Sequence, residues 1–346
     1  MRLSIVSFTK AGAKLAEQLH ERLLEDGYAV LNVCEMRKDA GADQISLSQW
    51  TKKAFEGDGI IFVGASGIAV RAIAPFVKDK LTDPAVVSID EMGKYAVPLL
   101  SGHVGGANAL AIKIAKVIGA TPVISTATDL NQKFAVDVWA VEHSLCLCER
   151  GLAKQVSAAL LDGKAVGLYS DFAVDGVLPD GLVAAKSGEL GICVSLDPSK
   201  QPFEHTLHAV AQIVTIGIGC RRGVADDVFE RAVLDTIEEH HISIKSVKQL
   251  ATIDIKQNEP CICAFCEKYR LTMKVASAQM LSKVEGEFTA SEFVNKITGV
   301  DNVCERAAVL AGKGRLLFKK QSKNGVTIAA ATTNWRVSFG RKDGGN

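Results

Sequence analysis

Two short segments of this sequence combine glycines with side chains that can move protons or hold negative charge. The first, SGHVGGAN, covers residues 101–108, and the second, STATD, covers residues 125–129. Histidine titrates near neutrality, carboxylates and hydroxyls exchange protons, and glycines let backbone N–H groups approach a ligand closely. The pattern predicts one site, whose candidate residues are Ser101, Gly102, His103, Gly105, Gly106, Asn108, Thr126, Thr128 and Asp129.

The elements around these segments predict how the segments meet. Tyr95–Leu100 is an apolar run suited to a buried strand, and an apolar stripe with helical spacing follows it over residues 110–118. Residues 122–125 form the next predicted strand, parallel to the first through a right-handed crossover. Both polar segments then lie at the carboxyl ends of parallel strands, where open α/β sheets bind ligands. The alternative is a tight helix entry whose glycines serve packing alone.

Two further glycine-rich segments follow predicted strands and carry arginines. Free backbone amides beside guanidinium groups suit carboxylates or phosphates. The second segment, GIGCRRG at residues 217–223, has the spacing G-x-G-x-x-x-G and lacks an acidic residue at the end of a following strand, which disfavours a dinucleotide site. The candidate anion-binding residues are Ser66, Gly67 and Arg71 in the first segment and Gly219, Arg221 and Arg222 in the second.

Composition narrows the class of protein. The chain has 346 residues, 48% of them hydrophobic and 23% charged, as in ordinary globular proteins of two or three domains. A net charge of +1 argues against bulk nucleic-acid binding, which usually needs a basic excess. No apolar run is long enough to span a bilayer, and the first residues do not resemble a secretion signal, so a cytoplasmic location without membrane contact is expected.

Nine cysteines in a chain without a secretion signal indicate free thiols in a reducing compartment. Cys261, Cys263 and Cys266 are closely spaced, but no second cysteine pair or nearby histidine completes a tetrahedral set. They are interpreted as small buried residues. The sequence therefore predicts no protein metal site.

The order of predicted elements indicates an α/β protein. Alternating strands and helices predict an N-terminal three-layer α/β/α domain with a largely parallel sheet over residues 1–137. Short strands and turns predict a small middle α/β module over residues 138–210, in which Phe134–Val141 is expected to enter as a strand. A C-terminal α/β domain of α+β-like character is predicted over residues 211–346, ending in a hairpin turned at Asn324-Gly325.

The combination of motifs resembles the CbiG family of cobalamin biosynthesis. The similar segments are LSGHVGGAN, PVISTATD, GIGCRRG, ASAQML, TGVDNVCERAA and LLFKK. The resemblance covers nearly the whole chain in the family's order of N-terminal, middle and C-terminal domains. It implies a cobalt-precorrin-5A hydrolase of the anaerobic pathway, acting on a cobalt-bearing tetrapyrrole. The enzyme would open the ring A acetate δ-lactone with water and release C20 with its methyl group as acetaldehyde, giving cobalt-precorrin-5B.

This substrate suggests roles for the candidate residues. We expect His103 to act as the base that activates water, the N–H groups of Gly105 and Gly106 to stabilise the oxyanion, and Asp129 to orient the histidine or relay a proton. The arginines would bind the carboxylate arms. Cobalt would be carried by the substrate macrocycle, so no cofactor is expected, and Glu305 is either a first-turn helix charge or faces the ligand.

Two other functions stay open at this stage. The first is a non-catalytic protein that binds and hands over a corrinoid intermediate, and the second, ranked last, is a nucleotide-dependent α/β enzyme. Contacts with neighbouring enzymes of the pathway are an open expectation, and the sequence does not set an oligomeric state.

Overall fold

The computed structural model describes residues 1–36, 45–79, 82–126 and 133–339. It divides the chain into two compact units, Met1–Lys133 and Phe134–Asn346. Within the described residues, no helix is long and apolar enough to cross a membrane.

The N-terminal unit is a six-stranded sheet between two layers of helices. Strands β3 (Gly59–Val63) and β4 (Ala85–Ile89) are buried at every position and apolar apart from Ser88, as expected for central parallel strands covered on both faces. Two separate apolar clusters, one on each face of the sheet, give the predicted three layers. The strands are β1 (Arg2–Ser7), β2 (Ala29–Glu35), β3 (Gly59–Val63), β4 (Ala85–Ile89), β5 (Tyr95–Leu100) and β6 (Thr121–Pro122), and the helices are α1 (Lys10–Glu25), α2 (Leu47–Ala54), α3 (Ser66–Ile73) and α4 (Ala107–Ile118).

The strand order is β2-β1-β3-β4-β5-β6, and the sheet changes direction within it. Strands β1 to β4 are mutually parallel, β5 runs antiparallel to β4, and β6 is parallel to β5. The predicted crossover from β5 through α4 to a parallel strand is confirmed, but β6 covers two residues rather than 122–125. The largely parallel sheet therefore has two strands that point the opposite way.

Local sequence explains where the helices of this unit begin and end. The Thr9 side chain caps α1 by accepting from the Gly12 N–H, and Ser46 and Gln49 form a capping box at α2. Gly106 and Gly119 flank α4, and both have left-handed backbone conformations that favour glycine. These caps fix the entry and exit of the chain around each strand.

The second unit begins with a middle sheet of order β10-β8-β11-β12-β7, in which only the β12–β7 pair is antiparallel. Its helices pack on the apolar cluster built around Trp139 and Leu160. The elements are α5 (Val136–Glu142), β7 (Leu145–Leu147), α6 (Arg150–Leu161), β8 (Val166–Ser170), β9 (Val174–Asp175), β10 (Leu182–Ala184), β11 (Gly188–Val194) and β12 (Phe203–Ala211).

The prediction of a strand over Phe134–Val141 was wrong, because this segment contains helix α5. Its apolar residues satisfy both a two-residue and a 3.6-residue period. The structure buries Val136, Trp139 and Ala140, which lie at i, i+3 and i+4 on one helical face. The sequence fits a strand period and a helix period equally well, and packing against the rest of the module selects the helix.

A second five-stranded sheet follows, of order β15-β14-β13-β17-β16. β13, β14 and β15 are parallel, and the hairpin β16–β17 adds antiparallel to β13, with its turn at Asn324-Gly325 as predicted. The elements are β13 (Val214–Cys220), α7 (Asp226–Glu239), β14 (Val247–Ile253), α8 (Pro260–Tyr269), β15 (Thr272–Ala276), α9 (Ala278–Ser282), α10 (Glu292–Thr298), α11 (Cys304–Gly312), β16 (Arg315–Lys323), β17 (Val326–Thr332) and β18 (Val337–Ser338).

The last described segment returns to the middle module. β18 pairs with β9, the Trp139 indole N–H donates to the Ser338 carbonyl over 2.8 Å, and the Trp139 and Phe339 rings stack at 5.1 Å. The middle and C-terminal sheets therefore share one compact unit, and the final strand belongs to the core of the middle module.

Candidate active site

The reversal of β5 separates the candidate residues of the N-terminal unit into two groups. β1, β3 and β4 end at one edge of the sheet, which carries Ser66 and Gly67. β5 runs the other way, and its last residue, Leu100, pairs with Val86 near the start of β4. The 101–108 segment therefore lies at the opposite edge, separated from the first by the six-residue length of β5, or about 17 Å.

The 101–108 loop is closed by three backbone hydrogen bonds. The Ala107 N–H donates to the Ser101 carbonyl over 3.0 Å, and the Asn108 N–H donates to the Gly102 carbonyl over 2.9 Å. The Gly106 N–H donates to the His103 carbonyl over 2.9 Å. The amide of Gly106 is therefore engaged within the loop and is not an open oxyanion donor, contrary to the sequence-based expectation. Among the described residues, the Gly105 N–H has no acceptor.

At two positions of this loop, neighbouring atoms lie so close to the backbone that only glycine fits. A Cβ atom on Gly105 would lie 2.3 Å from the Ser101 Cβ and 2.9 Å from the Ser101 carbonyl oxygen. A Cβ atom on Gly102 would lie 2.7 Å from the Asn108 side-chain oxygen. Gly102 and Gly105 therefore do have the packing role that the sequence analysis gave as the alternative. It also keeps the backbone next to Ser101 free of side chains.

Ser101 is the unusual residue of the loop. Its φ of 56° lies in the left-handed region, which is strained for a residue with a Cβ atom. The side chain is 9% exposed, and its hydroxyl is buried without a hydrogen-bond partner among the described residues. A buried hydroxyl in this state costs about 1–3 kcal/mol. Ser101 thus combines a strained backbone conformation with a buried hydroxyl that has no partner among the described residues, and such groups in native proteins call for an explanation.

The two polar segments named first from the sequence do meet. The Asn108 Nδ2 donates to the Thr126 Oγ1 over 2.8 Å, so the loop before α4 is tied to the segment after β6. His103 is half-buried in the same loop. Thr128 and Asp129 lie outside the described residues, so their predicted roles stay predictions.

The other edge of the sheet holds the first of the two segments that the sequence predicts to bind anions. The Ser66 and Ser88 hydroxyls are 3.2 Å apart, which links the ends of β3 and β4, and the Thr9 hydroxyl donates to the Glu91 carboxylate over 2.8 Å. Gly67 and Arg71 are exposed on α3. These residues are grouped with one another and not with the 101–108 loop. The sequence missed the pairing of Thr9 with Glu91, because it joins residues 82 positions apart.

The GIGCRRG segment is more regular than predicted, since β13 continues through Cys220. A Cβ atom on Gly217 would lie 1.8 Å from the Cys304 carbonyl oxygen, so α11 crosses the strand at this point. A Cβ atom on Gly219 would lie 2.6 Å from the Thr327 hydroxyl. Both glycines therefore have packing roles, and the exposed part of the motif is the pair Arg221 and Arg222.

The two arginines project from the carboxyl end of the central strand of their sheet, where α/β proteins bind ligands. The Arg221 N–H donates to the Gly325 carbonyl over 2.9 Å, which anchors the loop on the hairpin turn. Next to it, burial raises the pKa of Glu259, but the hydrogen bonds from Lys256 and from the Gly223 N–H outweigh burial and hold the pKa below its usual value. Glu259 is thus a carboxylate inside a cationic loop cluster.

Comparison with known families covers nearly the whole chain. Three family models match in order: cobalamin synthesis G N-terminal over residues 49–129, the cobalamin biosynthesis central region over residues 134–210, and cobalamin synthesis G C-terminus over residues 214–331. A protein of Salmonella typhimurium named cobalt-precorrin-5A hydrolase is 34% identical over 94% of this chain and 96% of its own length.

The chain belongs to the cobalamin synthesis G family. A cobalt-precorrin-5A hydrolase of Priestia megaterium is 29% identical over 95% of this chain and 94% of its own. A probable cobalt-precorrin-5A hydrolase of Methanocaldococcus jannaschii is 28% identical over 96% of this chain and the full length of its own. The resemblance found in the sequence motifs is therefore confirmed.

In this member of the cobalamin synthesis G family, Glu305 has a structural role. The residue is fully buried, and its carboxylate accepts from the N–H groups of Thr289 and Lys320 over 2.9 and 2.7 Å. Asn302, also buried, precedes the same helix, and its side-chain oxygen accepts from the Glu305 N–H over 2.9 Å. Of the two roles considered from the sequence, the ligand-facing one is excluded by this burial. The TGVDNVCERAA motif instead fastens the 289 loop and β16 to α11.

Proposed function

We propose that the chain is a cobalt-precorrin-5A hydrolase. The observation that carries the proposal is the 34% identity over nearly the full length to a protein of that name. The substrate is a cobalt-bearing tetrapyrrole with acetate and propionate arms. Water opens the ring A acetate δ-lactone, and C20 leaves with its methyl group as acetaldehyde to give cobalt-precorrin-5B.

The reaction has two chemical demands. Water adds to the lactone carbonyl, and the tetrahedral oxyanion collapses to the ring A carboxylate and a hydroxyl on C20. Loss of the hydroxyl proton then lets the bond between C20 and the macrocycle break; its electron pair stays on the macrocycle, which takes up a proton. The enzyme must supply a base for both deprotonations and donors for the oxyanion.

The 101–108 loop is the proposed location of this chemistry. His103 acts as the base that activates water. The oxyanion donors are the Gly105 N–H, which has no acceptor among the described residues, and the hydroxyl of Ser101, which is buried and unpaired there. These two replace the pair Gly105 and Gly106 expected from the sequence. Asp129 is proposed to orient His103 or to relay the proton as acetaldehyde departs.

The remaining candidates are proposed to bind rather than to react. Within the N-terminal unit, Asn108 and Thr126 hold the reacting edge together. Carboxylate arms of the substrate suit exposed guanidinium groups and free amides. Cobalt stays in the macrocycle, so the proposed chemistry uses no protein cofactor. Ser66, Gly67 and Arg71 are proposed as anion-binding groups of the N-terminal unit, and Arg221 and Arg222 as anion-binding groups of the second unit. Gly219, also a candidate from the sequence, keeps the packing role described above.

The test is the conversion of cobalt-precorrin-5A by the purified chain, with acetaldehyde measured by NADH oxidation in the presence of alcohol dehydrogenase. We expect one equivalent of acetaldehyde for each macrocycle converted. Heat-denatured protein is the blank. Tight binding of an unchanged macrocycle without acetaldehyde would contradict the proposal and support the handover function instead.

A further inference from the structure

The structure brings two cysteines and a glutamate from separate segments into one cluster. Cys220 is the last residue of β13, Glu259 immediately precedes α8, and Cys261 is the second residue of that helix. Their two sulfur atoms and one carboxylate oxygen all lie within 4.8 Å of one another. The cluster lies at the carboxyl end of the central strand of its sheet, and Cys220 is itself part of the GIGCRRG segment.

We propose that Cys220, Glu259 and Cys261 bind one divalent metal ion of borderline softness, with Zn²⁺ as the reference ion. Thiolate and carboxylate ligands in this ratio suit such ions, and three protein ligands leave a fourth position for water. Zn–S bonds of about 2.3 Å place tetrahedral sulfur ligands roughly 3.8 Å apart. The two sulfur atoms, which lie within 4.8 Å of each other, are therefore at most about 1 Å further apart than in a closed site, a shift that side-chain rotation can supply.

The surroundings of the cluster resemble the outer shell of a metal site. The Glu259 carboxylate accepts from the Gly223 N–H over 2.8 Å and from the Lys256 ammonium over 2.7 Å. Hydrogen bonds of this kind orient ligating carboxylates. Glu259 is 9% exposed and Cys261 1%, so the ligand set is shielded from water, while Cys220 is partly open.

Cys261, Cys263 and Cys266, which are closely spaced in the sequence, have different surroundings in the structure. Cys263 is exposed on α8, and its thiol donates to the Gln257 carbonyl. Cys266 is buried in the apolar core under the sheet. Cys261 belongs to the same apolar cluster, but its thiol also lies near that of Cys220, 41 positions earlier in the chain, a partner that spacing rules for local motifs do not find. A bound ion would fasten the GIGCRRG segment to α8 and fix Arg222.

The experiment uses the full chain, reduced with a phosphine and freed of metal by a chelator, then titrated with Zn²⁺ by calorimetry and with Co²⁺ by thiolate-to-metal absorption. We expect one equivalent of either ion. Cys220→Ser and Cys261→Ser should each weaken binding about 100-fold or more, because each removes a ligand. Cys263→Ser, a neighbouring exposed cysteine on α8, is the matched control and should bind as the wild type does.

A second measurement needs no variant. Zn²⁺ should protect Cys220 and Cys261 of the wild-type chain from alkylation, as read by peptide mapping, while Cys263 stays reactive. The competing location is the pair Cys146 and Cys148, where a hydrogen bond from the Cys148 thiol lowers the pKa of Cys146 to about 6. Protection of that pair instead, equal loss in the Cys263→Ser control, or no bound ion in the wild type would each overturn the proposal.

Discussion

The Asn108 side-chain amide donates to the Thr126 hydroxyl over 2.8 Å, and this bond joins the loop before α4 to the segment after β6. Asn108 is 7% exposed, so the bond forms largely out of water. The sequence order of the two segments is strand, loop, helix, strand, loop, and the bond connects the two loops. It marks the edge of the N-terminal unit at which we propose that the reaction takes place.

We predict that this bond couples the two residues energetically. Asn108→Ala and Thr126→Val should each lower the free energy of unfolding by about 1–2 kcal/mol, because each removes this largely buried hydrogen bond. The double variant should lose less than the sum, with a coupling of about 1 kcal/mol in urea denaturation. Thr126→Ser keeps the hydroxyl and should retain most of the stability. Strictly additive losses would show that the bond contributes nothing.

Ser101→Ala should separate stability from activity. The substitution removes a buried hydroxyl that has no partner among the described residues, so the free energy of unfolding should rise by about 1 kcal/mol. The same change removes a proposed oxyanion donor and should lower kcat about 100-fold. Thermal melting and acetaldehyde release, measured on the same preparation, check both signs. A variant that is less stable and equally active would rule out this role for Ser101.

Gly105→Ala should disrupt the loop. Its new Cβ atom would lie 2.3 Å from the Ser101 Cβ and 2.9 Å from a backbone oxygen, and backbone cannot move aside cheaply. We expect a loss of about 1–3 kcal/mol in unfolding free energy together with a large loss of turnover. Gly151→Ala is the matched control, because nothing lies within 4 Å of its Cβ position on α6. It should be neutral or slightly stabilising.

The contact between Tyr269 and Glu230 makes part of the stability depend on pH. The tyrosine hydroxyl donates to the Glu230 carboxylate over 2.6 Å, which raises the pKa of Tyr269 to about 12. Hydrogen bonds from Lys268 and Tyr269 hold the pKa of Glu230 below its usual value. A carboxyl group whose pKa is lowered by folding stabilises the fold fully at any pH above its pKa in the unfolded state. This stabilisation is lost as the pH falls through the pKa of the group in the folded state. The raised tyrosine pKa stabilises below about pH 10 and is lost above about pH 12.

Tyr269→Phe should therefore destabilise by about 1 kcal/mol at neutral pH, and the difference from wild type should shrink in acid as Glu230 becomes protonated. Urea denaturation across the acid range measures this. Tyr28→Phe serves as the control, because no hydrogen bond from its hydroxyl is formed within the described residues, and its effect should not vary with pH. A Tyr269→Phe difference that stays constant down to unfolding would refute the assignment.

Much of the fold could be predicted from local sequence patterns. Strand β5 was predicted with its true ends, the helical stripe of α4 was correct, and the Asn324-Gly325 turn was found, because each depends on residues close in sequence. The direction of β5 against β4 was not predictable, since antiparallel pairing there depends on long-range contacts. That direction decides which glycine-rich loops share an edge, and so it decides the composition of the site.

For the candidate site, too, local features could be predicted from the sequence and long-range contacts could not. The sequence identified the 101–108 and 125–129 segments as partners, and the structure joins Asn108 to Thr126. The sequence could not show that the Gly106 N–H donates to the His103 carbonyl or that Ser101 has a positive φ. Nor could it show that the thiols of Cys220 and Cys261 lie close together. Each of these depends on backbone geometry or on residues far apart in the chain, for which no spacing rule exists.

The most direct measurement is single-turnover release of acetaldehyde from cobalt-precorrin-5A by His103→Ala, alongside the wild type and His205→Ala, an exposed histidine outside the proposed site. If His103 is the base, its removal should slow release by about 100- to 10,000-fold while the affinity for the macrocycle stays unchanged. His205→Ala should match the wild type. Near-wild-type release by His103→Ala would contradict the placement of the chemistry at the 101–108 loop.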